Sequence, residues 1–325
     1  MNGATLGTVQ HDERSEFPQP PQDSEWWQES AFVTWYDHDA DIGGIIRIGH
    51  EPNHNGGQTA LWFGLVTHNG QRYRRNVTSR LTTGDRPADG LGALDGRYRL
   101  TYDGVLRFLV DDDDCKVDLQ IVDFYPRTHF FAATGSLTED FASNHFESSG
   151  QITGTVQLAD TVYDVDGLCH RDRSWGIRHW NTLLNSRWVP GTFGPDLSFG
   201  SITWHTVDGA IGQHGYVVRH GEVTLATDVD VVVMMEADGT TFRGGTATWT
   251  LPGEEPFTIE CALVDGILSQ HHGVAVVDAP GQVHHGGRRG FCHLEVSTNP
   301  RAGTRPVTEA LRAVSTDGLS HRPPA

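Results

Sequence analysis

Residues 97–110 read RYRLTYDGVLRFLV. Two runs alternate apolar and polar side chains, the period of a half-buried strand, and Asp103-Gly104 between them is a strong short-range hairpin signal. The same pattern recurs outward from this point. CKVDLQIVDFY (115–125) puts Val117, Leu119 and Ile121 on one face. DVDVVVMMEADGTTFRGGTATWTL (228–251) and VAVVDAPGQVHH (274–285) each read as strand, turn, strand, the second bending at Ala279-Pro280-Gly281. The chain is punctuated by 38 glycines, and helical spacing is confined to Pro306 and the VTEALRAV that follows it. Many short strands with almost no helix predict an all-β protein of antiparallel barrels or sandwiches, and 325 residues predict two of them, divided near residues 145–160.

Composition narrows the partners. With 24 Lys+Arg against 42 Asp+Glu the net charge is -18, which repels nucleic acid and anionic membrane surfaces but does not penalise a neutral apolar ligand. The longest apolar run, Val231–Met235, is far below the roughly 20 residues of a membrane span. The first residues carry neither a basic nor an apolar leader region, and Cys115, Cys169, Cys261 and Cys292 lack disulfide or CxxC spacing. The expectation is a cytoplasmic chain with a flexible stretch over residues 1–24, no nucleic-acid partner, no membrane insertion, and room for a homodimer. Neither a GxGxxG nor a GxxxxGK loop is present.

LCHRDRSWGIRHW (168–180) concentrates groups that are costly to bury. As a strand it sends Cys169, Arg171, Arg173 and Trp175 to one face and His170, Asp172, Ser174 and Gly176 to the other. Structurally, an arginine laid over a tryptophan plugs one end of a barrel. Functionally, Asp172, or His170 as the alternative, serves as general acid or base in a water-poor cavity. His170, Asp172 and Ser174 do not form a hydrolase triad, because i, i+2 neighbours on a strand stand about 6–7 Å apart and no GxSxG elbow is present. Glu295 is a second acid candidate; Tyr125 and Trp204, with His50 and His54 behind them, are pocket candidates. His271, His272, His284, His285 and His293 could bring two histidine pairs together across the 279–281 turn, but rim histidines are the plainer reading and no metal is expected. Asp37, Asp39, Asp41 and Glu51 read as loop caps or barrel-mouth residues, and the DDDD at 111–114 as a solvated turn.

RDRSWGIRHW (171–180) resembles the RDHSWGxRDW segment of two-domain lipocalin-like proteins related to AttH and to hydroxyneurosporene synthase, the carotenoid 1,2-hydratase. TWYDHDADIGGIIRIGHEPN (34–53) is similar to their first-domain motif, and HFESSGQITGTV (145–156) to their interdomain segment. The resemblance implies two consecutive lipocalin-like barrels, at 25–155 and 156–316, the second carrying the RDRSWG motif, with a short C-terminal helix and a tail at 317–325. It implies a hydrophobic small-molecule substrate, isoprenoid, steroid-like or polyketide-like, and isomerase, cyclase or hydratase chemistry without a cofactor. Asp172 or His170 would move the proton, Arg171, Arg173 and Arg178 would tune it and anchor substituents, and Trp175 and Trp180 would pack on the substrate. A non-catalytic lipocalin-like carrier is the rival reading. Arg173 stands where the family pattern has histidine, and a guanidinium exchanges no proton near neutral pH.

Overall fold

The computed structural model describes residues 11–129, 142–235, 242–299 and 317–321. Of these residues 67% are in strands and 3% in helical turns. In chain order the first strands are β1 (Trp27–Asp37), β2 (Ile42–Glu51), β3 (Gln58–Val66), β4 (Gln71–Arg80), β5 (Gly90–Ala93), β6 (Tyr98–Tyr102), β7 (Leu106–Asp111), β8 (Cys115–Asp123), β9 (Thr128–His129), β10 (Asn144–Leu158) and β11 (Thr161–Ile177). There follow β12 (Leu183–Trp188), β13 (Gly191–Thr192), β14 (Leu197–Thr206), β15 (Ile211–Arg219), β16 (Glu222–Leu225), β17 (Asp228–Met235) and β18 (Phe242–Thr250). The last are β19 (Phe257–Leu263), β20 (Ile267–His271), β21 (Val274–His285), β22 (Arg288–Thr298) and β23 (Gly318–His321).

Two antiparallel sheets result. The first has the order β23-β4-β3-β2-β1-β11-β10-β8-β7-β6-β5 with β9 on β10; the second runs β16-β15-β14-β12-β22-β21-β19-β18-β17 with β13 and β20 added. Each curls on itself as a half-barrel. The edge strand β5 packs back against β2 and β3, where His50 Nε2 meets the Gly92 carbonyl at 2.8 Å, and β17 packs against β14 and β15.

Periodicity explains the outer strands. β8 alternates strictly, Val117, Leu119 and Ile121 inward and Lys116, Asp118 and Gln120 outward. β6 and β7 form the expected hairpin, with Tyr102 opposite Leu106, so the connection is the longer Asp103–Val105 with Gly104 at φ +100°. The central strands obey a different rule. β1 is buried along its whole length because both faces are covered. Val33 and Trp35 enter the core inside the first sheet, while Phe32 and Tyr36 join Trp62, Trp180, Trp188 and Trp204 in a core between the two sheets.

Several expectations need correction. The boundary at 155/156 falls inside β10, and β11 with its RDRSWG motif belongs to the first sheet, between β1 and β10. The reason is a continuous ladder from Asn144 opposite Trp175 to Leu158 opposite Thr161, with β1 paired along the other edge of β11 from Trp27 opposite Ile177. Residues 11–24 are not a free tail: Glu13–Glu16 form a 3-10 turn, Ser15 and Glu16 are buried, and Phe17 packs on the first core. Residues 318–321, expected in a tail, pair as β23 with β4. VAVVDAPGQVHH is one strand without a turn. Pro280 fits within it because β20 pairs with Val274–Asp278 and β19 with Gly281–His284, leaving Pro280 at the changeover where no N–H is required. The helix at Pro306 and the turn at 236–241 lie outside the described residues. No helix among the described residues is long and apolar enough to cross a membrane.

Candidate functional site

The two faces of β11 meet different environments. Cys169, Arg171 and Arg173 face the inside of the first sheet, and His170, Asp172 and Ser174 face the seam between sheets. On the inner face Arg171 donates from Nη2 to Glu16 Oε1 at 2.7 Å and from Nε to Asp123 Oδ1 at 2.8 Å. Arg173 donates from Nη2 to Glu29 Oε2 at 2.6 Å and from Nη1 to the Ser30 carbonyl at 3.1 Å, with its guanidinium 5.9 Å from the Trp175 ring. Trp175 in turn meets the edge of His11 at 5.5 Å. Arg171, Arg173 and Trp175 are therefore held by partners on the inner side of the first sheet and do not line the seam cavity.

The cavity lies at the seam. Its volume is about 70 Å³, inside an envelope of about 630 Å³ that opens toward solvent. The first sheet contributes Ser30 and Phe32 from β1, Arg47 from β2, Trp62 from β3, His145 from β10 and Asp172 from β11. Arg178 and Trp180 follow β11, and the second sheet adds Ser186 and Trp188 from β12, and Glu295 and Ser297 from β22. Of the candidates read from the sequence, Asp172, Arg178, Trp180 and Glu295 are brought together here. Tyr125 and Trp204 are buried in the core between the sheets without lining the cavity, and His170 sits one layer behind it.

The electrostatics follow from burial. Among the described residues no hydrogen bond to Asp172 is formed, and His145 Nε2 stands 3.7 Å from its Oδ2. Burial first, and the Glu147 carboxyl second, push Asp172 up to about 8, so it is protonated at neutral pH. Glu295, raised by burial and by Asp278 to about 7, lies at the balance point, and Ser297 Oγ donates to its Oε1 at 2.7 Å. Glu147 is pushed to about 8 by burial, although Trp188 Nε1 (3.0 Å) and the Tyr216 hydroxyl (2.6 Å) donate to it. His145 Nε2 stands 3.6 Å from Glu147 and so lies between two carboxyls.

His170 is held down to about 3 by burial; its Nδ1 is 2.9 Å from Ser149 Oγ and its Nε2 3.3 Å from Glu147, so it supports Glu147 and cannot touch a molecule in the cavity. Two arginines form the cationic side. Arg47 lies 4.6 Å from the Trp62 ring and Arg178 5.0 Å from the Trp180 ring; burial and the Arg47 charge lower Arg178 to about 9.

Four of these residues, Arg47, Trp62, His145 and Trp188, are absent from the sequence reading. Arg47 had a signal: it is a lone cation within IGGIIRIG (42–49), a run whose alternation offers no reason for it. The loop residues divide: Asp37 caps a turn, Asp41 accepts from the Tyr36 hydroxyl at 2.7 Å, Asp39 is exposed and Glu51 is buried against His271. Asp37 accepts from the Asp39 and Ala40 amides (2.8 and 3.0 Å), and Asp112 of the acidic run is buried against Tyr73 and Arg75. The two histidine pairs do not meet across residues 279–281. His284 is exposed and His285 bonds the Thr258 carbonyl, whereas His271 and His272 face Glu51 of the first sheet. His293, fully buried, uses Nε2 on Asp278 and Nδ1 on Thr34, both at 3.0 Å.

Residues 12–300 match the family described as "Domain of unknown function (DUF7064)", so the chain belongs to that family. No curated protein sequence matches it. Among solved structures, an AttH-like protein from Nitrosomonas europaea is similar with a TM-score of 0.63 at 12% identity, covering 86% of this chain and 95% of that one. Kievitone hydratase from Nectria haematococca gives 0.58 at 11% identity over 90% and 94% of the two chains. CghA, also solved with Sch210972, gives 0.56 at 10% identity over 85% and 89%. At these identities the likeness is one of fold: the curled-sheet pair is lipocalin-like.

Proposed function

For this chain of the DUF7064 family we propose an acid–base enzyme of hydratase or cyclase type, working without a cofactor on the unsaturated end of an apolar isoprenoid, steroid-like or polyketide-like small molecule. The observation that carries this reading is Asp172: a carboxyl that burial holds protonated, facing a cavity walled by Trp62, Trp180 and Trp188. A neutral acid in an aromatic pocket can deliver its proton to a carbon–carbon double bond, and the ring faces stabilise the cation that results. In hydration, the Asp172 proton goes to one alkene carbon and water oxygen bonds to the other. Glu295, close to half ionised at neutral pH, takes the proton that water loses. In cyclisation a second double bond replaces water and Glu295 takes the proton shed by the ring. Passage of one proton from Glu295 back to Asp172 resets the site.

The likeness to a hydratase structure and the RDRSWG resemblance to the carotenoid hydratase line both support this chemistry. A carrier has less support, since an enclosed drug-sized ligand needs about 300 Å³ or more, whereas the cavity of about 70 Å³ has room for a reacting end only.

The test is a panel of prenylated phenols, isoprenoid alkenes and linear polyketides incubated in H₂¹⁸O or D₂O and read by mass spectrometry. Hydration incorporates ¹⁸O and isomerisation or cyclisation incorporates deuterium. Asp172→Asn should lower turnover by about 100-fold or more with substrate binding retained. Full turnover in folded Asp172→Asn protein would remove Asp172 from the mechanism.

A further inference from the structure

His271 and His272 stand at the β20–β21 hairpin of the second sheet, and both turn toward Glu51 at the end of β2 in the first sheet. His271 Nε2 is 2.5 Å from Oε1 and His272 Nε2 is 3.0 Å from Oε2, so two imidazoles address one carboxylate, one on each oxygen. The three donor atoms lie within 4.8 Å of one another. Gln58 Nε2 donates to Glu51 Oε2 at 2.7 Å and orients the carboxylate from behind. The imidazole rings approach to 4.2 Å, and Trp26 covers them from outside, 5.8 Å from His272.

The backbone adds a second observation. His272 has φ +46° and Gly273 φ +88°, with His271 paired to Val274, which makes a two-residue hairpin turn with both central residues left-handed. Asparagine, aspartate and histidine are the non-glycine residues that enter this conformation most readily, so the turn accepts His272 and leaves its ring facing Glu51.

We propose that Glu51, His271 and His272 form a binding site for a divalent transition-metal ion of the zinc class. Two imidazole nitrogens and one carboxylate oxygen are a donor set suited to such ions, and second-layer partners such as Gln58 commonly fix the ligands. Each neutral ring supplies its Nε2 lone pair by carrying its proton on Nδ1, so the imidazoles lose no proton to bind. The ion staples the two sheets and does not enter the cavity chemistry. His271 stands edge-on behind the cavity wall, 5.3 Å from Trp180 and 5.9 Å from Trp62, so metal occupancy fixes the wall that shapes the pocket.

The experiment uses tag-free, full-length protein stripped with chelator and titrated with Zn²⁺ by calorimetry, then with Co²⁺ by visible absorption. One equivalent should bind, with a Co²⁺ d–d spectrum and a raised melting temperature. His272→Asn creates Asn-Gly, a preferred pair for this turn, so the variant should fold at least as well without metal while its affinity falls by tenfold or more. Glu51→Gln should weaken binding similarly. A double His284→Ala, His285→Ala variant should bind as the unaltered protein does. The proposal is overturned if the unaltered protein binds no Zn²⁺ at micromolar concentration, if His272→Asn binds equally well, or if only the His284/His285 variant loses the ion.

Discussion

Arg173 is the residue on which the sequence and the structure pull furthest apart. In the RDHSWG pattern that its segment resembles, the position beside Asp172 is a histidine, which suggests that proton chemistry has been altered. Strand geometry gives a different account. Successive side chains on β11 point to opposite faces, so Arg173 enters the first barrel and pairs with Glu29 while Asp172 enters the seam. Arg173→His should therefore leave the cavity reaction within about twofold but strand the buried Glu29 carboxylate. Losing one partner of a buried pair costs about 3 kcal/mol, measurable by urea unfolding. A tenfold gain in activity in that variant would place position 173 in the site after all. The same alternation was readable in the sequence for Asp172 and His170, yet it could not tell that His170 stops at Ser149 and Glu147, since depth into a seam depends on what the opposite sheet brings.

At the level of elements, β11 is a shared wall: its inner face carries Arg171 and Arg173 into the first sheet's interior and its outer face puts Asp172 on the seam cavity. The inner face is completed by residues 11–24, whose polar, proline-bearing sequence reads as a free tail. What holds this segment is long-range charge pairing. Glu16 receives Arg171 and Arg127 together, and burial notwithstanding, the two guanidiniums keep its carboxyl below the ordinary range. Glu16→Ala should destabilise the fold by about 3 kcal/mol, because Arg127 loses its carboxylate and Arg171 keeps Asp123 alone. Faster amide exchange over residues 11–24 should accompany it, and unchanged stability would refute the anchoring role. Local pattern served well for β6, β7 and β8, where one face is wet. It failed at 274–285, where Pro280 and Gly281 look like a turn but lie where β21 exchanges one neighbour for another.

For the molecule as a whole, the seam holds a set of carboxyls that keep their protons to unusually high pH. Asp172, Glu147 and Asp278 are raised to about 8 and Glu295 to about 7, in each case chiefly by burial. In the unfolded chain such groups ionise near pH 4, so between about pH 4 and 8 the folded state binds more protons, and stability falls with rising pH by about 1.4 kcal/mol per unit for each carboxyl. His170 and His293, both held by burial near 3, act in the opposite sense: the unfolded chain protonates them below about 6.5, so their contribution grows with pH up to that point and is then constant. Above about pH 6.5 the carboxyls act unopposed by these histidines. The melting temperature should therefore decline between about pH 6.5 and 8, with Asp278→Asn flattening the decline. A flat or rising melting curve over pH 6.5–8 would contradict neutral buried carboxyls.

Strand content, the outer hairpins, the crowded motif at 168–180 and the pairing of Asp172 with Arg178, Trp180 and Glu295 as candidates were determined by the sequence, because side-chain period and the cost of burying charge are local properties. Which sheet owns β11, which face of it lines the cavity, and that Arg47, Trp62, His145 and Trp188 complete that lining were decided only by the tertiary structure. Those facts depend on two sheets meeting along a seam, and no local period encodes which buried face a distant strand will cover.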